Sequence, residues 1–174
     1  MTETNRQNDP AGSTGTADPA VPADPLPVGT VVCGVEGESA QQVLDVVAAR
    51  LIDDGIVDPE FPAALWEREQ RFPTGLPTRI PTAIPHTDAE HVRTACLAVA
   101  TLAHPVAFGE MGGGEDDTVD AHLLVMPLVT EPSEVVPALQ RMMSVLTDEK
   151  VVTDRKSTRL NSSHSGETRM PSSA

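Results

Sequence analysis

The chain has 174 residues, of which 39% are hydrophobic and 2% aromatic, and its formal net charge is −14. This length fits one domain with an aliphatic core, and the acidic balance argues against a nucleic-acid partner, which would require clustered Lys and Arg. Two cysteines, Cys33 and Cys96, do not make a disulfide framework, and no apolar run reaches the roughly 20 residues of a membrane span. We therefore expect a cytoplasmic protein without direct membrane insertion.

The first 28 residues differ in composition from the rest of the chain. They contain five prolines, no aromatic residue and few large aliphatic side chains. Such a segment buries too little apolar surface to offset the entropy that is lost on ordering. We predict that residues 1–28 form a disordered leader and that one domain spans residues 29–153.

A short strand at residues 30–33 and a helix are predicted to open the domain. Ser39 with Gln42 three residues later is typical of a capping box, and Gly55 is suited to end the helix. The apolar residues between them recur at helical spacing. They are Val43, Leu44, Val47 and Leu51.

A second helix is predicted from two start signals and one stop signal. Asp58 suits the N-cap and Pro59 the first helical position. The helix should end near Arg71, because the next residue precedes a proline. Arg68 then lies in the last turns of the helix, where an ion pair with a nearby carboxylate is the simplest role for it.

The stretch that follows, within residues 67–88, is the most informative part of the sequence. It reads EREQRFPTGLPTRIPTAIPHTD, and its strand-like run at 82–84 leads to His86. Each proline fixes its own φ and restricts the residue before it, so the backbone should be extended around this run. We expect the imidazole to be presented at the strand end and not packed in the core. The prolines are Pro73, Pro77, Pro81 and Pro85.

Strand signals follow in the second half of the chain. Residues 95–102 are apolar on both faces, which predicts a central strand. A turn at His104 and Pro105 and a short strand at 106–108 come next. Residues 110–117 predict an acidic loop, whose glycines lack the lysine and the spacing of a phosphate-binding loop.

Another strand and a third helix are predicted to complete the domain. The strand at 121–128 should finish by Met126, because Pro127 has no N–H for a ladder bond. Pro137 fits a helix only near its first turn, so the helix should start at 133–136. Its apolar face consists of Leu139, Met142, Met143 and Leu146.

Three segments together carry a resemblance to a known family: E-R-E at 67–69, P-T-G-L at 73–76 and A-I-P-H-T-D at 83–88. The combination resembles the enzyme IIA components of the sugar phosphotransferase system, of the fructose/mannitol class and most of all its galactitol-type branch. The resemblance covers residues 31–146. It implies an α/β fold with a mixed β-sheet flanked by helices.

The resemblance also implies a function. His86 would be the phosphoacceptor that takes a phosphoryl group from phospho-HPr and passes it to a cysteine of an enzyme IIB domain, with a membrane IIC component downstream. Arg68 would lie beside His86 and stabilise the phosphoryl group, which suits the planar guanidinium. No metal and no organic cofactor are implied.

The sequence departs from the family in one respect. Many members have a second histidine after the strand that matches residues 121–126, whereas residues 130–134 of this chain read T-E-P-S-E. Assistance to His86 would then come from Ser133 or His122, or would be absent. Glu134 is an unattractive assistant, because a carboxylate repels a phosphohistidine.

Two other functions compete with the phosphocarrier. A regulatory protein of the same fold would signal by binding partners without passing phosphate on to a IIB domain. A zinc hydrolase would use His86, His91, His104 and His122, but no spacing among them matches a known ligand motif.

The last 21 residues have a composition of their own. Residues 154–174 carry 4 basic and 2 acidic residues, a charge of +2, whereas the rest of the chain carries 8 and 24, a charge of −16. They also resemble the translation of a short-read sequencing adapter. We expect residues 154–174 to be non-native and the domain to lack its terminal helix.

Overall fold

The computed structural model describes residues 26–147. Most of the predicted leader and the whole of residues 154–174 lie outside the described residues. Within that range the chain forms five strands, three α-helices and one 3₁₀ helix at Ala89–His91. In chain order the other elements are β1 Val28–Val35, α1 Ala40–Asp53, α2 Phe61–Arg71, β2 Gly75–Leu76, β3 Thr82–Ala83, β4 Cys96–Gly109, β5 Thr118–Leu128 and α3 Pro132–Thr147.

The strands form a single mixed sheet in the order β1-β4-β5-β3-β2. β1 pairs in parallel with β4, and β3 pairs in parallel with β5, whereas the β4/β5 and β2/β3 pairs are antiparallel. Helices cover both faces. The predicted α/β architecture, a mixed sheet flanked by helices, is thereby confirmed.

Alternation along β5 divides the core between the two faces. Leu124 and Met126 belong to the larger apolar cluster, which α1 and α2 cover. Leu123 and Val125 point the other way and belong to a smaller cluster with Met142 of α3. This period of two is what a central strand covered on both faces requires.

Helix α1 forms as its local signals predict. The Ser39 hydroxyl accepts a hydrogen bond from the N–H of Gln42, and the Gln42 side chain accepts one from the N–H of Glu38. Gly55, at φ +70°, follows the C-cap, and its N–H donates to the carbonyl of Ile52. Glycine takes this left-handed conformation without strain, which explains the stop.

Helix α2 ends at Arg71 as predicted but begins at Phe61, so the predicted start at Asp58 and Pro59 is wrong. The carboxylate of Asp58 still accepts hydrogen bonds from the N–H groups of Glu60 and Phe61, both at 3.0 Å. Asp58 therefore supplies the capping bonds from outside the helix, across a turn that contains Pro59.

Strand β4 is longer than predicted, because His104 and Pro105 do not form a turn. The strand continues through His104 and Pro105, and its register against β5 shifts between Thr101 and Val106. Proline is tolerated at such an irregularity because the ladder is already interrupted there. The two predicted strands are therefore one.

Strand β5 also runs past the predicted end at Met126. Pro127 lies opposite Leu97, whose N–H donates away from β5 to the carbonyl of Pro27 at 2.8 Å. The Leu97/Pro127 pair is thus one that exchanges no hydrogen bonds, so the missing N–H of Pro127 removes none.

Helix α3 starts at Pro132, one residue before the predicted range, and Pro137 lies inside it.

Candidate functional site

The site is built on an arch formed by β2, β3 and the segment that leads to His86. β2 and β3 are two residues long each, and β3 pairs with β5 at Leu123 and Leu124. β2 approaches the end of β4 so closely that a Cβ on Gly75 would lie 2.7 Å from the carbonyl oxygen of Gly109. A side chain at position 75 would push the arch away from β4, which explains why a glycine stands there in P-T-G-L.

His86 follows β3, but its ring is largely buried, with 8% of its surface exposed. The prediction of a presented side chain is therefore wrong, because the folded chain buries the residue. Nδ1 lies 2.9 Å from the carbonyl oxygen of Ile84. A carbonyl oxygen only accepts hydrogen bonds, so Nδ1 carries the proton of the neutral ring and Nε2 carries the free lone pair.

The surroundings of His86 favour this neutral form. Burial lowers the pKa of His86, and the positive charge of Arg68 lowers it further, while the Ile84 carbonyl and Asp88 act in the opposite direction. The net pKa lies below the ordinary value for histidine. An uncharged imidazole with a free Nε2 is a competent nucleophile near pH 7.

Arg68 approaches the same place from α2, with 31% of its side chain exposed. Its guanidinium carbon lies 5.3 Å from the centre of the Phe72 ring, and its Nη1 lies 3.7 Å from Oδ1 of Asp88. At that distance, and with 75% of the Asp88 side chain exposed, the ion pair is weak.

The Nε–H of Arg68 is sealed from solvent and has no hydrogen-bond partner among residues 26–147. Leaving such a donor unsatisfied costs about 1–3 kcal/mol. The guanidinium is therefore a cation with an unused hydrogen-bond donor, and its charge acts on His86. The exposed part of the guanidinium, and not the sealed Nε–H, suits the oxygens of an anion bound next to His86.

The other candidate assistants lie in different places. His122 is next to Leu123, which pairs with Thr82 at the start of β3, whereas His86 lies beyond the end of β3. His122 is therefore not brought to the site. Ser133, in the first turn of α3, follows the end of β5 and lies at the same end of the sheet as His86.

His91 has a structural role in the described part of the chain. Its Nδ1 lies 3.2 Å from Oδ2 of Asp58, and its carbonyl accepts the Asp58 N–H at 3.0 Å. The histidine thereby ties the 3₁₀ helix to the cap of α2. His104 is exposed on β4. Across residues 26–147, no three or more His, Cys, Asp or Glu side chains are grouped to hold a metal ion.

The fold is an α/β fold with a mixed sheet, and comparison with known proteins gives the family. The family described as "Phosphoenolpyruvate-dependent sugar phosphotransferase system, EIIA 2" matches residues 25–159, which is more than half of the chain. The chain belongs to this family. In the described residues no helix is long and apolar enough to cross a membrane.

Three relatives illustrate the family. The galactitol-specific EIIA component of Escherichia coli K12 is 25% identical over 120 residues, 68% of this chain and 79% of that protein. The transcriptional regulator ManR of Bacillus subtilis is 30% identical over 74 residues, 42% of this chain and 11% of that protein.

The third relative is the mannitol IIA protein of Escherichia coli. Its crystal structure has a TM-score of 0.57 and 25% identity, and the match covers 71% of this chain and 84% of that one. Its complex with phosphorylated enzyme IIB also has a TM-score of 0.57, at 24% identity, with 71% and 83% coverage.

The two charges beside His86 give a first testable prediction. Arg68→Ala is expected to raise the pKa of His86, because it removes a charge that opposes protonation, and Asp88→Asn is expected to lower it further. Titration of the ring resonances of His86 by NMR measures both shifts. Shifts of the same sign in the two variants would contradict the arrangement.

The same pKa has a consequence for stability. Because the folded protein binds the proton of His86 less readily than the unfolded chain, the contribution of neutral His86 is complete above the unfolded pKa of about 6.5. It is lost as the pH falls from there toward the lower pKa of the folded state.

Proposed function

We propose that this protein is a cytoplasmic phosphocarrier that accepts a phosphoryl group from phospho-HPr on His86 and passes it to an enzyme IIB domain. One observation carries the proposal: the Ile84 carbonyl holds the proton on Nδ1 of His86 and leaves Nε2 as the nucleophile. The positive charge of Arg68 acts on the same ring. Family membership supports the reaction class.

The transfer needs little chemistry from the protein. The lone pair of Nε2 forms a bond to phosphorus, while the bond from phosphorus to the donor breaks and its electrons stay with the donor. The ring becomes cationic, and its Nδ1–H still donates to the Ile84 carbonyl, which stabilises that charge. Arg68 stabilises the charge on the phosphoryl oxygens, as positioning and electrostatics dominate such reactions.

The second half-reaction reverses the first. A thiolate of the enzyme IIB domain attacks phosphorus, the N–P bond breaks, and its electrons return to Nε2 of His86. The complex of the mannitol IIA protein with phosphorylated enzyme IIB supports this choice of acceptor. With no histidine at 130–134, Ser133 in the first turn of α3 is our candidate for a supporting hydrogen bond. A membrane IIC component acts downstream.

The proposal is tested by reconstitution with phosphoenolpyruvate, enzyme I and HPr. Wild-type protein is expected to gain one phosphoryl group, which peptide mapping at alkaline pH locates on His86, and to lose it when an enzyme IIB domain is added. A label on His91, His104 or His122 would overturn the assignment. Omitting HPr is the matched control, because it removes the donor and leaves every other component in place.

A regulatory role is the second candidate, and the match to ManR over 74 residues favours it. In that case His86 would still be phosphorylated, but no IIB domain would remove the phosphoryl group. The rate of dephosphorylation with galactitol-type and mannitol-type IIB domains distinguishes the two functions.

A further inference from the structure

Glu69 is a buried carboxylate next to the site that the proposed transfer does not use. It lies on α2 one turn after the buried Leu65, and 6% of its surface is exposed. None of the ion pairs among the described residues includes Glu69. Burial raises the pKa of Glu69, and hydrogen bonds from Thr74 oppose that rise.

Both oxygens of Glu69 are occupied by a single residue. Oε1 accepts the backbone N–H of Thr74 at 3.0 Å, and Oε2 accepts the Thr74 hydroxyl at 2.7 Å. Burying a carboxylate without a cation is costly, so the position favours an apolar residue unless the hydrogen bonds matter. The two bonds tie α2 to the residue that directly precedes β2.

The hydrogen bonds continue from Thr74 to the proposed nucleophile. The Thr74 carbonyl accepts the N–H of Ile84 at 3.2 Å, and the Ile84 carbonyl in turn lies 2.9 Å from Nδ1 of His86. β2 and β3 pair with each other at only two positions. So short a pair has little stability of its own. The tie to α2 therefore adds to the pairing of β3 with β5 in holding it in place.

We propose that Glu69 is a positioning residue that acts through Thr74 and the backbone of Ile84 to hold the His86 ring with Nδ1 protonated and Nε2 free. The inference rests on the proposed function for its catalytic meaning. The hydrogen-bond path itself concerns the unphosphorylated protein and is testable without any transfer.

The test combines ring spectroscopy with kinetics. In Glu69→Ala, long-range ¹H–¹⁵N NMR spectra of His86 are expected to change from one tautomer to a mixture of two. The kcat of phosphorylation by phospho-HPr should fall about 10- to 100-fold with KM unchanged, because misplacement of a reacting group has costs of that order. Glu69→Gln should restore most of the single tautomer and most of kcat. Its amide oxygen can accept the Thr74 N–H, and its NH₂ group can donate to the Thr74 hydroxyl oxygen.

Matched controls separate positioning from a general loss of stability. Glu67→Ala removes a carboxylate two residues away, which pairs with Arg71 on the exposed side of the helix. It should leave the His86 spectrum and kcat unchanged. Should Glu69→Ala fail to fold, Thr74→Val removes one hydroxyl bond at nearly constant volume, and Thr74→Ser keeps it.

The outcomes are distinguishable. A single unchanged tautomer and an unchanged kcat in Glu69→Ala or Thr74→Val, with only a lower melting temperature, would overturn the inference. Absence of labelling in wild-type protein would overturn the proposed function instead, and the NMR comparison would still decide whether Glu69 positions the ring.

Discussion

His86→Asn is expected to abolish phosphorylation by phospho-HPr. Asparagine has no nucleophilic ring nitrogen, while its amide N–H₂ can donate to the Ile84 carbonyl that now receives Nδ1–H. Asparagine is a better choice than alanine because the ring is buried and its removal would leave a cavity and an unpaired carbonyl. The measurement is incorporation of phosphate by intact-protein mass spectrometry, with circular dichroism to verify the fold.

An exposed histidine supplies the control for this experiment. His104→Asn, on β4, should incorporate one phosphoryl group at the wild-type rate. Full incorporation in folded His86→Asn protein would mean that another residue is the acceptor, and the assignment of Nε2 as nucleophile would have to be abandoned.

Local signals in the sequence were sufficient to predict the elements that depend on local hydrogen bonds. The capping bonds of Ser39 and Gln42 and the left-handed Gly55 are formed by neighbours within a few residues. The start of α2 was missed because Asp58 is not the N-cap itself but lies two residues before it, at the other side of a turn. The sequence alone does not distinguish these two positions for a capping carboxylate.

The strands show a limit of a different kind. Proline signals placed a turn at His104 and Pro105 and a strand end at Met126, yet Pro105 and Pro127 both lie inside strands. The N–H that a proline lacks weakens a strand only where that N–H would point to a neighbouring strand. This depends on the register of strand pairing, which a single sequence does not specify. β2 was not predicted, because it is only two residues long and pairs with residues outside its own segment.

His86 and Arg68 remain predicted site residues, and the sequence did not predict the environment in which the structure places them. The prolines around His86 indicate an extended backbone, but the burial of the ring depends on elements distant in sequence. Glu69 was missed as a functional candidate although a signal exists: it continues the buried stripe of Phe61 and Leu65 at a spacing of four, where a charged residue is unexpected.

Arg68→Ala is expected to lower the rate of phosphoryl transfer to His86 about 100-fold while leaving the residue phosphorylatable. Loss of one well-placed donor to a developing oxyanion has an effect of that order. Arg68→Lys should recover only part of the rate, because an ammonium keeps the charge but loses the paired N–H groups of the guanidinium. Rapid-quench measurement of single-turnover labelling determines these rates.

Arg71→Ala is the matched control, since it removes an arginine from the same helix that pairs with Glu67 at 2.7 Å on the exposed surface. Its transfer rate should equal that of the wild type. Equal rates in Arg68→Ala and Arg71→Ala would mean that Arg68 has no role in the transfer beyond its weak ion pair with Asp88. A rate deficit in Arg68→Ala that Asp88→Asn does not share would instead assign the effect to the guanidinium itself, because Asp88→Asn removes the ion pair and keeps the cation beside His86.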